Sequence, residues 1–169
     1  LRASIIYQVG AIKSMAESAG GRLSHVKPHG AMYNSAAADF DMAVVIARAI
    51  KDIDSSLILM GLSGSQMIRA AGEIGLASAS EVFADRAYND DGSLVSRDFP
   101  GGVLHETREV IERTLKMIEE KRVVTISGKT IHIKVDTICL HGDNEMALEF
   151  VKTLFSTFKK RGVILKSIG

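Results

Sequence analysis

The sequence predicts an α/β fold built on a parallel sheet. Three observations carry this reading: short, continuous apolar runs alternate with stretches of helical periodicity, each run opens into a polar turn, and about four strand-then-helix units follow one another. Hydrophobic residues make up 46% of the 169 positions and charged residues 24%, the proportions of an ordinary globular chain, so one domain over 1–169 is expected.

The first helix carries Ile5, Ile6, Val9, Ile12, Ala16 and Ala19 on one face and ends at Gly20-Gly21, where glycine takes a left-handed cap. Arg22 to Val26 is the first strand; Pro28 ends it, and a loop follows. Asp39 caps a helix with Phe40, Ala43, Val44, Ala47 and Ile50 inward. The second strand is Leu57 to Met60, followed by the turn Gly61 to Ser65 and a helix with Met67, Ile68 and Ala71 that ends near Gly75. Glu81 to Ala84 is the third strand, and it leads into an irregular excursion through Asn89-Asp90-Asp91-Gly92 before a helix with Val110, Ile111, Thr114 and Ile118. Val123 to Ser127 and Thr130 to Lys134 flank Gly128-Lys129 as a hairpin on the outside of the fold. Thr137 to Leu140 is the fourth strand, followed by a helix burying Ala147, Leu148, Val151, Leu154, Phe155 and Phe158, and Val163 to Leu165 is a last strand. A chain that opens on a helix favours a portion of a closed barrel, which takes about 250 residues, over a complete flavodoxin-like open sheet.

Lys and Arg total 21 against 20 acidic residues, a formal charge of +1, so no basic footprint points to nucleic acid or to an anionic membrane. No apolar stretch approaches the ~20 residues of a membrane span and no secretory leader pattern is present. The single cysteine, Cys139, lies in an apolar strand where it packs as a small hydrophobe, consistent with a reducing cytoplasm. Small molecules and proteins are the expected partners.

Polar residues at the C-terminal ends of parallel strands line the ligand-binding rim of such folds. Here those ends carry Lys27 and His29, Ser63 and Ser65, Asp85 and Arg86, and His141 and Asp143. His29, His141, Asp85 and Asp143 supply a base or acid with carboxylates to orient it, the parts that activate water against an amide carbon. Lys27 and Arg86 are fixed cations suited to a substrate carboxylate or phosphate, or to ion pairs with the rim aspartates. Two His and two Asp are also a donor set for a divalent metal, without a His-Glu-x-x-His or paired-cysteine signature, and the metal stays open. Gly61-Leu62-Ser63-Gly64-Ser65 lies between strand and helix as phosphate-cradling turns do, yet lacks the Gly-Lys-Ser/Thr ending of a Walker loop. His25, His105 and His132 read as structural.

Val26-Lys27-Pro28-His29-Gly30-Ala31-Met32-Tyr33-Asn34, then Glu81 to Arg86, Asp91 to Val95 with Arg97, and Ile138 to Asp143 resemble, in order and spacing, the motifs of the LamB/YcsF family of lactam utilization proteins. Met32 stands where leucine is usual, and two departures stand out: Pro100-Gly101-Gly102-Val103-Leu104-His105 varies a segment that usually reads Pro-Gly-Ala, and the family's N-terminal third is expected to be absent from this sequence. The resemblance implies an incomplete (β/α) barrel of the seven-stranded glycoside hydrolase and deacetylase type, with this chain as the C-terminal part of a single domain. It implies a subunit of an ATP-dependent 5-oxoprolinase that hydrolyses 5-oxo-L-proline to L-glutamate with two partner subunits. It adds Tyr33 and Asn34 to the substrate-binding residues and ATP as a bound nucleotide. The alternatives are a metal-dependent deacetylase or amide hydrolase, and a non-catalytic ligand-binding subunit. Self-association through an exposed sheet edge is a further expectation.

Overall fold

Backbone amides at strand edges and helix ends need partners, and those partners decide which apolar runs of this chain become elements. A computed structural model describes residues 1–142 and 147–168. The chain divides into two compact units, one formed mainly by Leu1–Ser80 and one by Glu81–Ser167.

In the first unit, α1 spans Arg2–Ser18 and stops where Gly20 takes φ +77. Ile5 and Val9 are its buried residues, while Ile12 is 56% exposed, so the inward stripe is narrower than its apolar spacing predicts. β1, His25–Val26, is shorter than the predicted Arg22 to Val26. It pairs in parallel with β2, Ile58–Leu62, His25 facing Ile58 and Val26 facing Leu59. The expected loop after Pro28 is instead a helix, α2, Gly30–Ala38. Pro28 lies ahead of it rather than inside it, and the alanines at 31 and 36–38 are strong helix formers. α3, Phe40–Ile53, starts as predicted: the Asp39 carboxylate accepts a hydrogen bond from the Met42 amide at 3.0 Å. α4, Gln66–Ile74, ends on Gly75 at φ +66, and the Lys51 ammonium donates to the carbonyl of Ile74 at that end. Ala43, Ala47, Ala70 and Ala71 are fully buried, and these small side chains let α3 and α4 pack closely around Ile46, Ile50 and Met67.

β3, Ser78–Phe83, begins in the first unit and continues into the second. There it pairs in parallel with β6, Thr137–Cys139, Glu81 facing Thr137, Val82 facing Ile138 and Phe83 facing Cys139. The parallel sheet runs β1-β2-β3-β6, the order expected of successive strand-then-helix units. β3, Ser78-Ala79-Ser80-Glu81-Val82-Phe83, is almost wholly buried, its polar Ser80 and Glu81 included. α5, Thr107–Glu120, and α6, Ala147–Lys160, cover this part of the sheet. The core of the second unit is Ala84, Val110, Leu115, Phe150, Leu154 and Phe158.

Two predictions about α6 and its end do not hold. Leu148, Val151 and Phe155, expected inward, are 65%, 49% and 61% exposed. The helix has two apolar stripes, and the one that packs against the core is Phe150, Leu154 and Phe158. Val163 to Leu165 is not a strand: Gly162, at φ +72, closes α6, and the Val163 amide donates to the Phe158 carbonyl at 2.9 Å, a helix-terminating bond. The predicted hairpin is present as β4, Arg122–Val124, and β5, Thr130–His132. It anchors the excursion rather than only decorating the exterior. The Ile126 amide donates to the Tyr88 carbonyl at 2.9 Å, and the Thr125 and Ser127 hydroxyls donate to Asp90 at 2.6 and 2.7 Å. Among the described residues no helix is long and apolar enough to cross a membrane.

Candidate functional site

Register brings the central pair of the second unit together. Phe83 of β3 faces Cys139 of β6, so the residues two steps further along each chain, Asp85 and His141, meet just past the strand ends. The ladder runs one rung beyond the strands, the Ala84 amide donating to the Cys139 carbonyl at 3.1 Å. The His141 amide then donates to Asp85 Oδ2 at 3.1 Å, and His141 Nδ1 lies 3.0 and 3.1 Å from the two carboxylate oxygens. The Phe83 ring stacks on the imidazole, centroids 5.5 Å apart and planes 17° from parallel. Asp85 is 1% exposed and the His141 side chain 22%. With Asp85 as carboxylate, Nδ1 carries the ring proton and Nε2 is left as the atom for acid-base chemistry. Asp143, expected beside this pair, lies outside the described residues.

Arg86 turns back into the excursion: Nε donates to the Gly102 carbonyl at 3.2 Å and Nη2 to the Val95 carbonyl at 2.5 Å. Burial, and then the nearby charge of Arg97, pull its guanidinium below the usual arginine range, while Asp85 opposes them. Gly102 is required by close approach: a Cβ there would stand 2.1 Å from the Ser96 carbonyl oxygen.

In the first unit, Lys27 follows β1 and its ammonium lies 5.7 Å from the centre of the buried Tyr33 ring. His29 is the extended N-cap residue of α2 and is exposed, and Asn34 is exposed on the same helix. Lys27, His29 and Met32 border a cavity of about 330 Å³ whose other walls include Ile5, Val9 and Ile12 of α1. The turn between β2 and α4 holds Gly64 at φ +75, and a Cβ on Gly61 would meet that of Met67 at 2.9 Å. Ser65 is the N-cap of α4 without making a side-chain cap bond, and its hydroxyl oxygen is buried without a hydrogen-bond partner, as is Gln66 Oε1. Each predicted rim residue among those described thus follows the C-terminal end of its own strand. Among the described residues no group of three or more His, Cys, Asp and Glu gathers as metal ligands do.

The sequence reading assigns no role to Phe83, Tyr88 or Arg113. The Tyr88 hydroxyl accepts the Phe83 amide at 2.8 Å, and burial pushes its phenol well above the usual range. Arg113 Nη1 lies 2.6 Å from the Arg86 carbonyl and 3.5 Å from that of Ala84. On a helix rich in Glu, Arg and Lys, nothing in the sequence separates this arginine from its solvated neighbours.

A family model described as the LamB/YcsF family matches residues 1–169. Proteins named as the A subunit of 5-oxoprolinase, from Geobacillus kaustophilus and Tolumonas auensis, are 45% and 48% identical over 165 and 164 residues, covering 98% and 97% of this chain. The chain spans 64% and 65% of the length of these two relatives. A crystal structure of a lactam utilization protein from Thermus thermophilus superposes with a TM-score of 0.89 at 33% identity, over 98% of this chain and 66% of that one.

Proposed function

The chain belongs to the LamB/YcsF family, and on that premise we propose that it is part of a 5-oxoprolinase subunit that opens the lactam of 5-oxo-L-proline to L-glutamate. The observation that carries this reading is the Asp85–His141 pair, a buried carboxylate orienting an imidazole at the ends of two paired parallel strands. In this reading His141 Nε2 takes a proton from the water that attacks the lactam carbonyl carbon. It returns that proton to the ring nitrogen as the carbon–nitrogen bond breaks, so that glutamate leaves with a free amine. Asp85 holds the ring tautomer and stabilises the imidazolium formed in between.

Opening a five-membered lactam is uphill, and ATP would supply the drive: its γ-phosphoryl group would pass to the lactam oxygen with release of ADP, water attack and C–N cleavage would leave a γ-glutamyl phosphate, and a second water would divide that into glutamate and phosphate. The residues that fit a phosphate are at the start of α4, where the Gly64 turn and the unpaired Ser65 hydroxyl sit at a helix N-terminus. Lys27, with Tyr33 beneath its ammonium, and His29 and Asn34 enter the proposal as the polar residues that the family resemblance implies for substrate binding. Arg86, engaged by two backbone carbonyls, contributes its charge near Asp85. Two other subunits, a seven-stranded (β/α) barrel and a cytoplasmic location complete the proposal. The relatives' names, which designate one lettered component of a larger enzyme, support the first of these, and the sheet of successive parallel strands supports the second.

The test is ATP-dependent glutamate formation by the chain assembled with the other subunits. Asp85→Asn and His141→Gln are each expected to lower turnover ~100-fold or more with the fold retained. Wild-type rates in both folded variants refute the reading.

A further inference from the structure

Past the Ala84 amide the chain leaves the sheet, and because the His141 amide turns to the Asp85 carboxylate, the carbonyls on either side of Asp85 lose their strand neighbours. Backbone carbonyls turned away from a sheet need donors. Asp85's own carbonyl has one in the Leu104 amide, at 2.9 Å. The carbonyls of Ala84 and Arg86 share another. Arg113, one turn past Val110 on α5, directs Nη1 at the Arg86 carbonyl, 2.6 Å away, and at that of Ala84, 3.5 Å away. The same guanidinium lies 5.2 Å from the centre of the fully buried Tyr88 ring. Tyr88 in turn accepts the amide of Phe83, whose ring stacks on His141. One helix side chain therefore holds the backbone before and after the carboxylate and leans on the residue that ties down the ring stacked against the imidazole.

We infer that Arg113 is a positioning residue: by clamping the carbonyls that flank Asp85, it fixes the carboxylate that sets the tautomer and angle of the His141 imidazole. It touches no substrate and acts through Asp85. A planar guanidinium suits this task because it offers several donors in a fixed fork and a flat face for Tyr88, whereas a lysine ammonium offers a point charge. Its charge also sits within reach of a carboxylate that is 1% exposed, where an unpaired anion is costly. The catalytic part of this inference rests on the reading of His141 as the base; the positioning part does not.

The test is the imidazole ¹⁵N spectrum of His141 in the full chain. In the wild type the proton is expected on Nδ1. Arg113→Met is expected to move the ring ¹⁵N shifts toward a mixture of tautomers. Arg113→Lys, which keeps the charge and one donor, gives an intermediate spectrum and remains informative if the methionine variant fails to fold. In an Asp85→Asn background the Arg113 substitution is expected to add no further change, because its route runs through Asp85. Unchanged His141 shifts in folded Arg113 variants, or fully additive effects with Asp85→Asn, overturn the inference and leave Arg113 a packing residue. In the assembled enzyme, Arg113→Lys is expected to lower kcat about tenfold to a hundredfold with little change in KM. Normal turnover in Asp85→Asn and His141→Gln sinks the lactam-opening reading instead, whatever the spectra show.

Discussion

A carboxylate with almost no exposure persists only where donors meet it, and Asp85 is met by the backbone amide and ring nitrogen of His141. Both residues are legible in the sequence because each follows a short apolar stretch, Val82 to Ala84 and Ile138 to Leu140, at the end of a predicted strand. What the sequence hides is the third layer. Tyr88, Arg113 and Gly102 act through contacts 5, 27 and 16 residues away along the chain, to Phe83, Arg86 and Arg86 again, and no periodicity encodes such distances. Gly102 gives a test at this scale. Its Cβ would collide with the Ser96 backbone oxygen at 2.1 Å, and a backbone atom cannot swing aside as a side chain can. Gly102→Ala is expected to cost roughly 1–3 kcal/mol, the range for forced overpacking, and to loosen the Arg86 contact with the 102 carbonyl. A thermal melt with an unchanged midpoint in this variant contradicts the steric argument.

Elements are readable to the extent that one periodicity governs them. α3 and α4 have a single apolar stripe each and a clear start or stop signal in Asp39 and Gly75, and both form as expected. α6 has two apolar stripes, so its spacing alone cannot say whether Leu148 or Phe150 turns inward; packing against the second unit's core decides it. α2 escapes the periodicity because a proline two residues ahead signals the end of a strand as readily as the approach of a helix. The hairpin's tie to the excursion is equally hidden, since it runs through Asp90 to the hydroxyls of Thr125 and Ser127. Those hydrogen bonds, Thr125 first, hold the Asp90 carboxyl below its ordinary value of 3.8. A carboxyl depressed by folding stabilises above its unfolded pKa and loses that contribution as pH falls through the folded one. Acidification from pH 5 to below about 3 is therefore expected to loosen the hairpin from the excursion, seen as a lower protection of the Ile126 amide relative to its intrinsic exchange rate at each pH. Asp90→Asn, which cannot titrate, should flatten this dependence, and an equally steep response in that variant assigns it to another group.

At the scale of the whole chain, each unit holds a buried set of its own. Ile46, Ile50, Met67, Ala70 and Ala71 belong to one, and Val110, Phe150, Leu154 and Phe158 to the other. Length and composition alone suggest one domain and cannot show this, because both sets are made of the same residue types in the same alternation of strand and helix. Leu154, 4% exposed, gives the sharpest test. Truncation to alanine removes buried apolar atoms and leaves a cavity, a combination that costs about 2–5 kcal/mol depending on how far the site collapses. Leu148, on the exposed stripe of the same helix, shares its chemistry and differs in burial, being 65% exposed. Leu148→Ala is expected to stay within about 0.5 kcal/mol of the wild type. Native-state hydrogen exchange then locates the loss. In Leu154→Ala, protection should fall first along α5, α6 and the paired ends of β3 and β6, because the removed contacts lie in that core. Equal effects of the two leucine substitutions, or protection lost first in α3 and α4, contradict this assignment of the core.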